Sequence, residues 1–444
     1  MPNFEDNEPV LSANTRSYVG ETAFADDRLD RKLLAEKLTG YLSRLNDGAV
    51  LAIDAPWGEG KTWFGKNWAK HLEDSSYKVV YIDTFEQDYV EDPFMLITSE
   101  ILSIVEEDSK IEKNLKKGSV EVGKALLPVA GKALVNMGGR FLLGSSNLSG
   151  EFQEALEAGT ANVAELTGEL IKENLESYSK DKLAMKEFKG QLSAFAQAQD
   201  NPIVIFIDEL DRCKPDFAVN LVERIKHFFD VPNIVFVLLL NRDQLEKAVK
   251  GVYGSETDAS AYLGKFVNFF FALPKPIQNG LNYEQRLKSF VQITMKKYKF
   301  TRENGAHDEF LNHIEIWSKC FKMSLRDIEK SVALYSFAGE FETISWILTY
   351  LIALKVKQPE LFRRLVDGDK KAHAKAKEIV EDFVNSDDGT GFLMFFAQWH
   401  EAYLNGFSEV GEAFKSQIEH FHQYSYNPEM LFPNLASMID LKVD

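Results

Sequence analysis

The stretch that most constrains the fold runs from Ala55 to Thr62 and reads Ala-Pro-Trp-Gly-Glu-Gly-Lys-Thr. An apolar run, Val50 to Ile53, leads into it, and a helical pattern, Trp63 to Leu72, follows it. Strand, glycine-containing loop, Lys-Thr and helix is the order of a phosphate-binding P-loop, or Walker A motif. Backbone N–H groups of such a loop curl around an anion, and the next helix adds the positive end of its dipole. The octet therefore predicts an α/β fold with a nucleotide site.

Seven consecutive residues are expected to bind the nucleotide: Trp57, Gly58, Glu59, Gly60, Lys61, Thr62 and Trp63. Lys61 would reach the β- and γ-phosphates, and the Thr62 hydroxyl would be a ligand of Mg²⁺. Ala55 stands where the pattern has its first glycine, and because it ends the strand we expect a methyl group to be tolerated there. The competing interpretation is a glycine-rich turn with a chance Lys-Thr pair.

Short apolar strands separated by helical segments predict a parallel sheet flanked by helices. The expected strands are 49–53, 78–82, 203–207, 233–240 and 266–273, and an amphipathic helix over 25–45 precedes them. We expect five regions: an N-terminal segment with the first half of the core (1–107), a helical insertion (108–200), the second half of the core (201–275), a helical lid (276–340) and an all-helical C-terminal region (341–444).

The insertion contains an octad near-repeat that starts at Gly123, Gly131 and Gly139, and each glycine is followed by a Lys or Arg. Eight residues advance a helix by about 80° beyond two turns, so these cations would spiral slowly along one side. One interpretation is a peripheral contact of residues 119–145 with a membrane surface or a partner. The preferred one is an amphipathic insert packed on its own domain.

The second half of the site is predicted where the strand Ile203–Ile207 ends in Asp208 and Glu209. Acids at the carboxyl end of an apolar strand next to the P-loop strand form the Walker B arrangement. Asp208 would hold the Mg²⁺ shell, because that ion prefers oxygen ligands. Glu209 would polarise the attacking water. Strand-end acids also occur as helix caps or solvated loop residues.

Four further residues are candidates for sensing or stabilising the reacting phosphate. Asn241 ends the strand beside Walker B and could orient the water, or it could cap the helix that follows. Arg212 and Arg242 could neutralise transition-state charge, in cis or toward a neighbouring subunit, or form surface ion pairs. Arg326 opens a helix of the lid and could reach back over the phosphates, or it could be a solvated helix residue.

Composition narrows the class of partner. The 444 residues carry a net charge of −17, which argues against a general nucleic-acid surface. The two cysteines, Cys213 and Cys320, are too few for a disulfide framework, and a reducing cytoplasm is the simplest location. The first ten residues lack the apolar region of a secretory signal, and no transmembrane segment is expected.

The chain resembles the KAP family of P-loop NTPases, a branch of the ASCE group of ATPases, over about residues 20–340. The motifs that carry the resemblance are Pro56–Thr62, Ile207–Cys213, Asn233–Arg242 and Tyr262–Phe266, and Asp27–Asp30 and Asp92-Pro93 also fit. It implies binding and hydrolysis of ATP with Mg²⁺, and an insertion that in this family often carries transmembrane helices. Glu209 and Asn241 stand where the family more often has Asp, which keeps a carboxylate at the first position and weakens the sensor role at the second. Bacterial relatives are associated with phage exclusion.

The leading hypothesis is an ATPase that acts as a conformational switch or motor, with the lid closing onto the core. The alternative is a nucleotide-gated protein-binding switch with little or no hydrolysis. A small-molecule kinase is weaker, because no acceptor-site motif is visible. Protein partners or self-association are expected in either of the first two cases.

Overall fold

A computed structural model describes most of the chain outside the middle of the insertion. The described residues are 20–25, 27, 29–45, 47–89, 93–105, 110–126, 182–226, 228, 231–274, 283–298, 305–338, 344–386, 391–409, 411–419, 421 and 427–440.

Five parallel strands form one sheet, in the order β2-β3-β4-β1-β5. They are β1 (Ala49–Asp54), β2 (Val79–Asp83), β3 (Ile203–Asp208), β4 (Ile234–Leu240) and β5 (Phe269–Ala272). Every residue of β3 and of β4 is buried, as continuous apolar runs require when a parallel sheet is covered on both faces. The predicted α/β class, with a parallel sheet between helices, is confirmed.

The prediction that the Walker B strand, β3, lies next to the P-loop strand, β1, is wrong. Strand β3 does not lie beside β1, because β4 pairs with both of them: Asp54 is in register with Leu240, and Asp208 with Leu239. All seven residues of β4 are apolar and buried, which suits an interior strand, but β3 and β1 are interior strands too, so their local pattern does not fix the order. The ends of β1, β4 and β3 consequently share one edge of the sheet.

Helices of the core cover both faces of this sheet. They are α1 (Arg31–Leu42), α2 (Lys61–Asp74), α3 (Pro93–Ser103), α4 (Lys110–Leu126), α5 (182–197), α6 (Pro215–Ile225), α7 (Arg242–Tyr253) and α8 (Ala259–Leu263). One face of the sheet packs against α1 and α2 through a cluster that contains Leu38, Phe64 and Trp68. The other face packs against helices that include α3 and α6.

The described parts of the insertion join the core. Leu115 of α4 and Phe188 of α5 belong to the same buried cluster as Phe94 of α3, and the rings of Phe94 and Phe188 lie 5.4 Å apart. The octad cations Lys132 and Arg140, and most of the 119–145 segment, lie outside the described residues. Among the helices that the structure describes, none is long and apolar enough to cross a membrane.

The lid and the C-terminal region are helical, as expected. Their helices are α9 (Tyr283–Lys297), α10 (Gly305–Cys320), α11 (Leu325–Ala338), α12 (Ser345–Lys357), α13 (Pro359–Val366), α14 (Lys370–Asn385), α15 (Met394–Asn405), α16 (Glu412–Glu419) and α17 (Pro428–Asp440). One hydrophobic cluster extends from Leu287 to Ile439, so the two regions share a core across residue 340.

Candidate nucleotide site at the carboxyl edge of the sheet

The P-loop conformation depends on two glycines. Gly58 and Gly60 have φ angles of 85° and 76°, in the left-handed region that other residues rarely adopt. Gly60 is the N-cap of α2, and no side chain caps that helix end. The first backbone N–H groups of α2 are therefore available to an anion, as a phosphate site requires.

Ala55 is explained by its surroundings. It is buried, and its backbone N–H donates to the Leu240 carbonyl across 3.2 Å. Its methyl group packs in the same cluster as Phe64, so this position acts as a core residue directly after β1.

Lys61 lies beneath the loop. Its Nζ donates to the carbonyls of Ala55 and Pro56 at 2.7 and 3.4 Å. Burial lowers the pKa of this ammonium, and the charges of Asp211 and Glu209 oppose that shift. Its contact with the β- and γ-phosphates stays a prediction.

Asp208 is buried at the end of β3. One carboxylate oxygen accepts from the Tyr81 hydroxyl at 2.8 Å, and the other accepts from the Glu209 N–H at 2.8 Å. Burial raises the pKa of the Asp208 carboxyl, while hydrogen bonds from Tyr81 and Thr62 lower it. Burial, together with the Asp208 charge, raises the Tyr81 pKa well above its ordinary value. Tyr81 was not singled out from the sequence, where it is one apolar-type residue of β2.

Glu209 connects the two halves of the site. Its Oε1 accepts a hydrogen bond from the Thr62 hydroxyl at 3.2 Å, and its Oε2 lies 2.6 Å from Nε of Arg212. Burial and then the neighbouring Asp208 raise the pKa of the Glu209 carboxyl, and Arg212 lowers it. The structure thus brings together Thr62, Asp208 and Glu209, as the sequence predicted, and gives Arg212 an intramolecular ion pair.

The oxygen ligands fit Mg²⁺. The Tyr81 hydroxyl and the Glu209 N–H donate to different oxygens of Asp208, and the Thr62 hydroxyl oxygen lies at the same edge, so carboxylate and hydroxyl oxygens of the kind that Mg²⁺ prefers are close together. Within the described residues, no group of three or more His, Cys, Asp or Glu side chains could hold a metal by itself. Mg²⁺ usually binds one or two protein oxygens, several waters and substrate phosphates.

Asn241 and Arg242 both have protein partners. The Asn241 side chain accepts from the Gln244 N–H at 3.4 Å, which is the N-cap contact of α7. The Arg242 guanidinium lies 2.8 Å from Glu246, and its backbone N–H donates to Asp54 at 2.9 Å. Asn241 therefore makes the helix-cap contact and Arg242 makes an ion pair. The roles of both residues toward the phosphates stay predictions.

The lid begins directly on the P-loop. The Arg326 N–H donates to the Gly58 carbonyl across 3.1 Å, and a Cβ placed on Gly58 would lie 2.5 Å from the Ser324 hydroxyl. Asp327 accepts from that hydroxyl at 2.9 Å and lies 3.0 Å from Lys357 of α12. This lid contact runs through the backbone of Arg326, and a reach of its guanidinium over the phosphates is untested.

The aromatic residues of the loop differ in exposure. Trp57 is 46% exposed, and its indole N–H donates to the carboxylate of Asp211 after Walker B. Trp63 is partly buried, with its ring 5.7 Å from that of Phe24.

Arg31 is a P-loop contact that the sequence interpretation missed. Its guanidinium donates to the carbonyls of Glu59 and Gly60 at 2.6 and 3.2 Å. It is 2% exposed, and burial lowers its pKa to about 10. Arg31 occupies the first position of α1, where the helix dipole disfavours a cation, but the helix predicted over 25–45 places it in the interior, so the sequence offered no signal for this contact.

The fold and the site define a P-loop NTPase, with a Walker A loop and Walker B acids at one edge of a parallel sheet. The sequence model of the KAP family P-loop domain matches residues 31–338. The chain belongs to the KAP family.

Two curated relatives are similar over shorter stretches. The phage T7 exclusion protein of Escherichia coli is 28% identical over 103 residues, which are 23% of this chain and 13% of that protein. An uncharacterized protein of Methanocaldococcus jannaschii is 26% identical over 155 residues, 30% of this chain and 73% of that protein. The chain thus spans about an eighth of the length of the first relative.

Two solved structures are similar to the chain at low identity. The ORC2 protein of Aeropyrum pernix, solved in ADPNP-ADP complexes, is 11% identical over 96% of both chains, with a TM-score of 0.35. Cdc6p of Pyrobaculum aerophilum is 13% identical over 97% of this chain and 98% of that chain, with a TM-score of 0.40.

Proposed function

We propose that this chain is a Mg²⁺-dependent ATPase. The observation that carries the proposal is the 3.2 Å contact between the Thr62 hydroxyl and the Glu209 carboxylate. It places the start of the P-loop helix against the Walker B acids, so a phosphate bound at the helix would lie beside a carboxylate. Membership in the KAP family supports nucleotide binding.

Each residue has a role in this proposal. The loop amides and Lys61 bind the β- and γ-phosphates and neutralise their charge. Thr62 and Asp208 hold Mg²⁺, which supplies further charge neutralisation at the phosphates. Glu209 orients a water and accepts its proton as the water oxygen bonds to the γ-phosphorus and the bond to ADP breaks. Arg212, 2.6 Å from Glu209, favours the ionised carboxylate that this role needs.

The test is steady-state ATP hydrolysis by Glu209→Gln. Loss of a general base lowers turnover by about 10²–10⁴-fold. Affinity for ATP, measured by calorimetry with Mg²⁺, stays within about threefold of wild type, because the loop amides and Lys61 are intact. Glu73→Gln is the matched control, since Glu73 is an exposed carboxylate at the far end of α2.

Two results would contradict the assignment. Glu209→Gln that turns over like wild type excludes Glu209 as the base. A wild-type protein without measurable binding of ATP or ADP excludes the nucleotide function itself.

A second candidate is a nucleotide-gated switch that binds a protein partner or a second copy of the chain and hydrolyses little. The Arg326 to Gly58 backbone bond favours it, because a nucleotide in the loop would directly affect the first turn of α11. Mass measurement in solution with ATP, using Glu209→Gln, separates the two: assembly that persists without hydrolysis supports the switch. If neither nucleotide nor the variant changes the mass, self-association controlled by nucleotide is excluded.

The biological setting is also a proposal. Similarity to the phage T7 exclusion protein supports a role in defence of a bacterial cytoplasm against phage. Plating efficiency of phage on cells with wild-type or Glu209→Gln protein measures it, and equal plating on wild-type and empty-vector cells would exclude it for that phage.

A further inference from the structure

The orientation of two P-loop peptide groups depends on Arg31. In a planar trans peptide the C=O and the N–H point in opposite directions. The Glu59 carbonyl belongs to the peptide that carries the Gly60 N–H, and the Gly60 carbonyl to the peptide that carries the Lys61 N–H. Arg31 donates to both carbonyls, at 2.6 and 3.2 Å. These contacts hold the two N–H groups on the opposite side of the loop from Arg31.

Gly60 makes this restraint necessary. Its φ of 76° lies in a region that glycine occupies easily, and glycine populates many other conformations equally well. Arg31 Nη1 would lie 2.7 Å from a Cβ at this position, so the guanidinium fills the space beside the glycine. A flexible hinge is thereby held in one conformation by a planar, two-pronged donor.

The setting of Arg31 is poor for stability alone. The cation lies in the first helical turn, against the dipole of α1, and is 2% exposed. Among the residues that the structure describes, its Nε has no hydrogen-bond acceptor. Burial of a charge is unfavourable, and the charges of Glu59 and Asp27 offset only part of it here, since the Arg31 pKa remains below its ordinary value.

The neighbours of Arg31 keep it in place. Asp27 accepts from the N–H groups of Leu29 and Lys32 at 3.0 and 2.7 Å, which fixes the start of α1. Asp30 forms an ion pair with Arg286 of α9 in the lid. The start of α1 is therefore attached to the P-loop by Arg31 and to the lid by Asp30.

We propose that Arg31 is a positioning residue for nucleotide binding, which acts through the Glu59 and Gly60 peptide groups to aim the Gly60 and Lys61 N–H groups at the β-phosphate. This inference rests on the proposed nucleotide function and deepens it. It predicts that loss of Arg31 affects the binding of ATP and ADP, which both carry a β-phosphate, and does not affect the binding of AMP, which has none.

The test is affinity of Arg31→Gln for ATP, ADP and AMP with Mg²⁺, measured by calorimetry. Loss of two charge-assisted hydrogen bonds to the loop weakens ATP and ADP by the same factor, about tenfold or more, and leaves AMP unchanged. Lys32→Gln is the matched control, since it removes one positive charge from the adjacent, exposed position. Its nucleotide affinities equal those of wild type, which separates loop geometry from general electrostatics.

Arg31→Lys is a second variant that keeps the inference testable if Arg31→Gln does not fold. The ammonium keeps the charge but lacks the planar fork, so ADP affinity falls by a smaller factor, about threefold. Far-UV circular dichroism shows that each variant is folded before it is titrated. In hydrolysis assays a positioning role raises KM, whereas a loss of folded protein lowers apparent kcat and leaves KM unchanged.

The outcomes are distinct. Unchanged ADP affinity in Arg31→Gln, or in Arg31→Lys if only that variant folds, overturns the inference while the proposed function stands. A change for ATP without one for ADP also overturns it, because the clamp would then not act on the β-phosphate. Absence of binding in wild type removes the proposed function, on which this inference rests.

Discussion

The nucleotide site and the C-terminal helices both bury ionisable side chains, but they keep them in different charge states. At the site, Lys61 has the acids Asp211, Glu209 and Asp208 near it, and Glu209 has Arg212. In the C-terminal helices, the Tyr350 hydroxyl lies 2.5 Å from His400, whose other ring nitrogen lies 2.9 Å from His373.

The difference shows where chemistry is supported. Opposite charges at the sheet edge oppose the neutralising effect of burial, so the ionised forms of Lys61 and Glu209 are favoured there. In the helical core, burial lowers the pKa of His373 to about 4 and that of His400 well below its ordinary value. These histidines are neutral packing elements near pH 7, and the helices around them serve as a scaffold.

The largest effect is expected from Trp399→Ala. Trp399 is completely buried, with its ring 5.4 Å from that of Phe432 and 5.9 Å from that of Phe395. Removing a buried indole leaves a cavity and lowers the free energy of unfolding by about 3–5 kcal/mol. Urea unfolding followed by circular dichroism measures the change.

The matched control for that variant is Trp57→Ala. Trp57 is 46% exposed in the P-loop, so its loss changes the unfolding free energy by less than about 0.5 kcal/mol. If both variants lowered the free energy of unfolding by a similar amount, the proposed difference between a packed C-terminal core and an exposed P-loop would be contradicted.

A smaller effect is expected from Gly58→Ala, which tests the contact between the lid and the P-loop. A left-handed φ of 85° costs a non-glycine residue about 1–2 kcal/mol, and the new Cβ would lie 2.5 Å from the Ser324 hydroxyl. We expect ATP affinity to fall by about tenfold or more in calorimetry.

Gly251→Ala is the control for this change, because nothing lies within 4 Å of a Cβ placed at that helical position. It stabilises α7 by up to about 1 kcal/mol. Adding Ser324→Gly to Gly58→Ala relieves the steric part of the loss, and a double variant that binds no better than the single one would argue against the contact.

The smallest effect is a pH dependence of stability from the buried histidines. A histidine whose folded pKa is about 4 binds fewer protons than the unfolded chain between pH 6.5 and 4, so stability falls as pH falls through that window. From about pH 7.5 to 5.5, His373 alone lowers the unfolding free energy by about 1 kcal/mol. Urea midpoints of Trp fluorescence at the two pH values measure the change.

The variants for this test are His373→Phe and, as control, His71→Gln on α2. The first reduces the dependence on pH and the second retains it. A wild-type midpoint that does not change between the two pH values would show that burial does not hold these histidines neutral.

Much of the fold could be predicted because its strands are continuous apolar runs bounded by turn residues. The P-loop octet and the Asp208-Glu209 pair were found for the same reason, since each follows such a run. The order of strands could not be read in this way, because local pattern does not say which buried strand lies between two others. Strand β4 consequently took the place beside β1 that was expected for β3.

Two side-chain contacts of the site were also beyond the sequence. Arg31 and Tyr81 lie 29 and 127 positions from their partners Gly60 and Asp208, so only the folded chain brings them together. Helix ends were less certain for a local reason. Helix α6, for example, starts at Pro215, where a missing N–H costs nothing, and ends at Ile225.

The bond between the Arg326 N–H and the Gly58 carbonyl has an evolutionary consequence. Because it uses only main-chain atoms, nearly every substitution at position 326 retains it, and that position is free to vary in side-chain chemistry without detaching the lid from the loop. Proline is the exception, since it lacks the donor yet fits the first turn of a helix such as α11. Substitutions can thus change the side-chain chemistry at this contact far more easily than they can remove the contact itself.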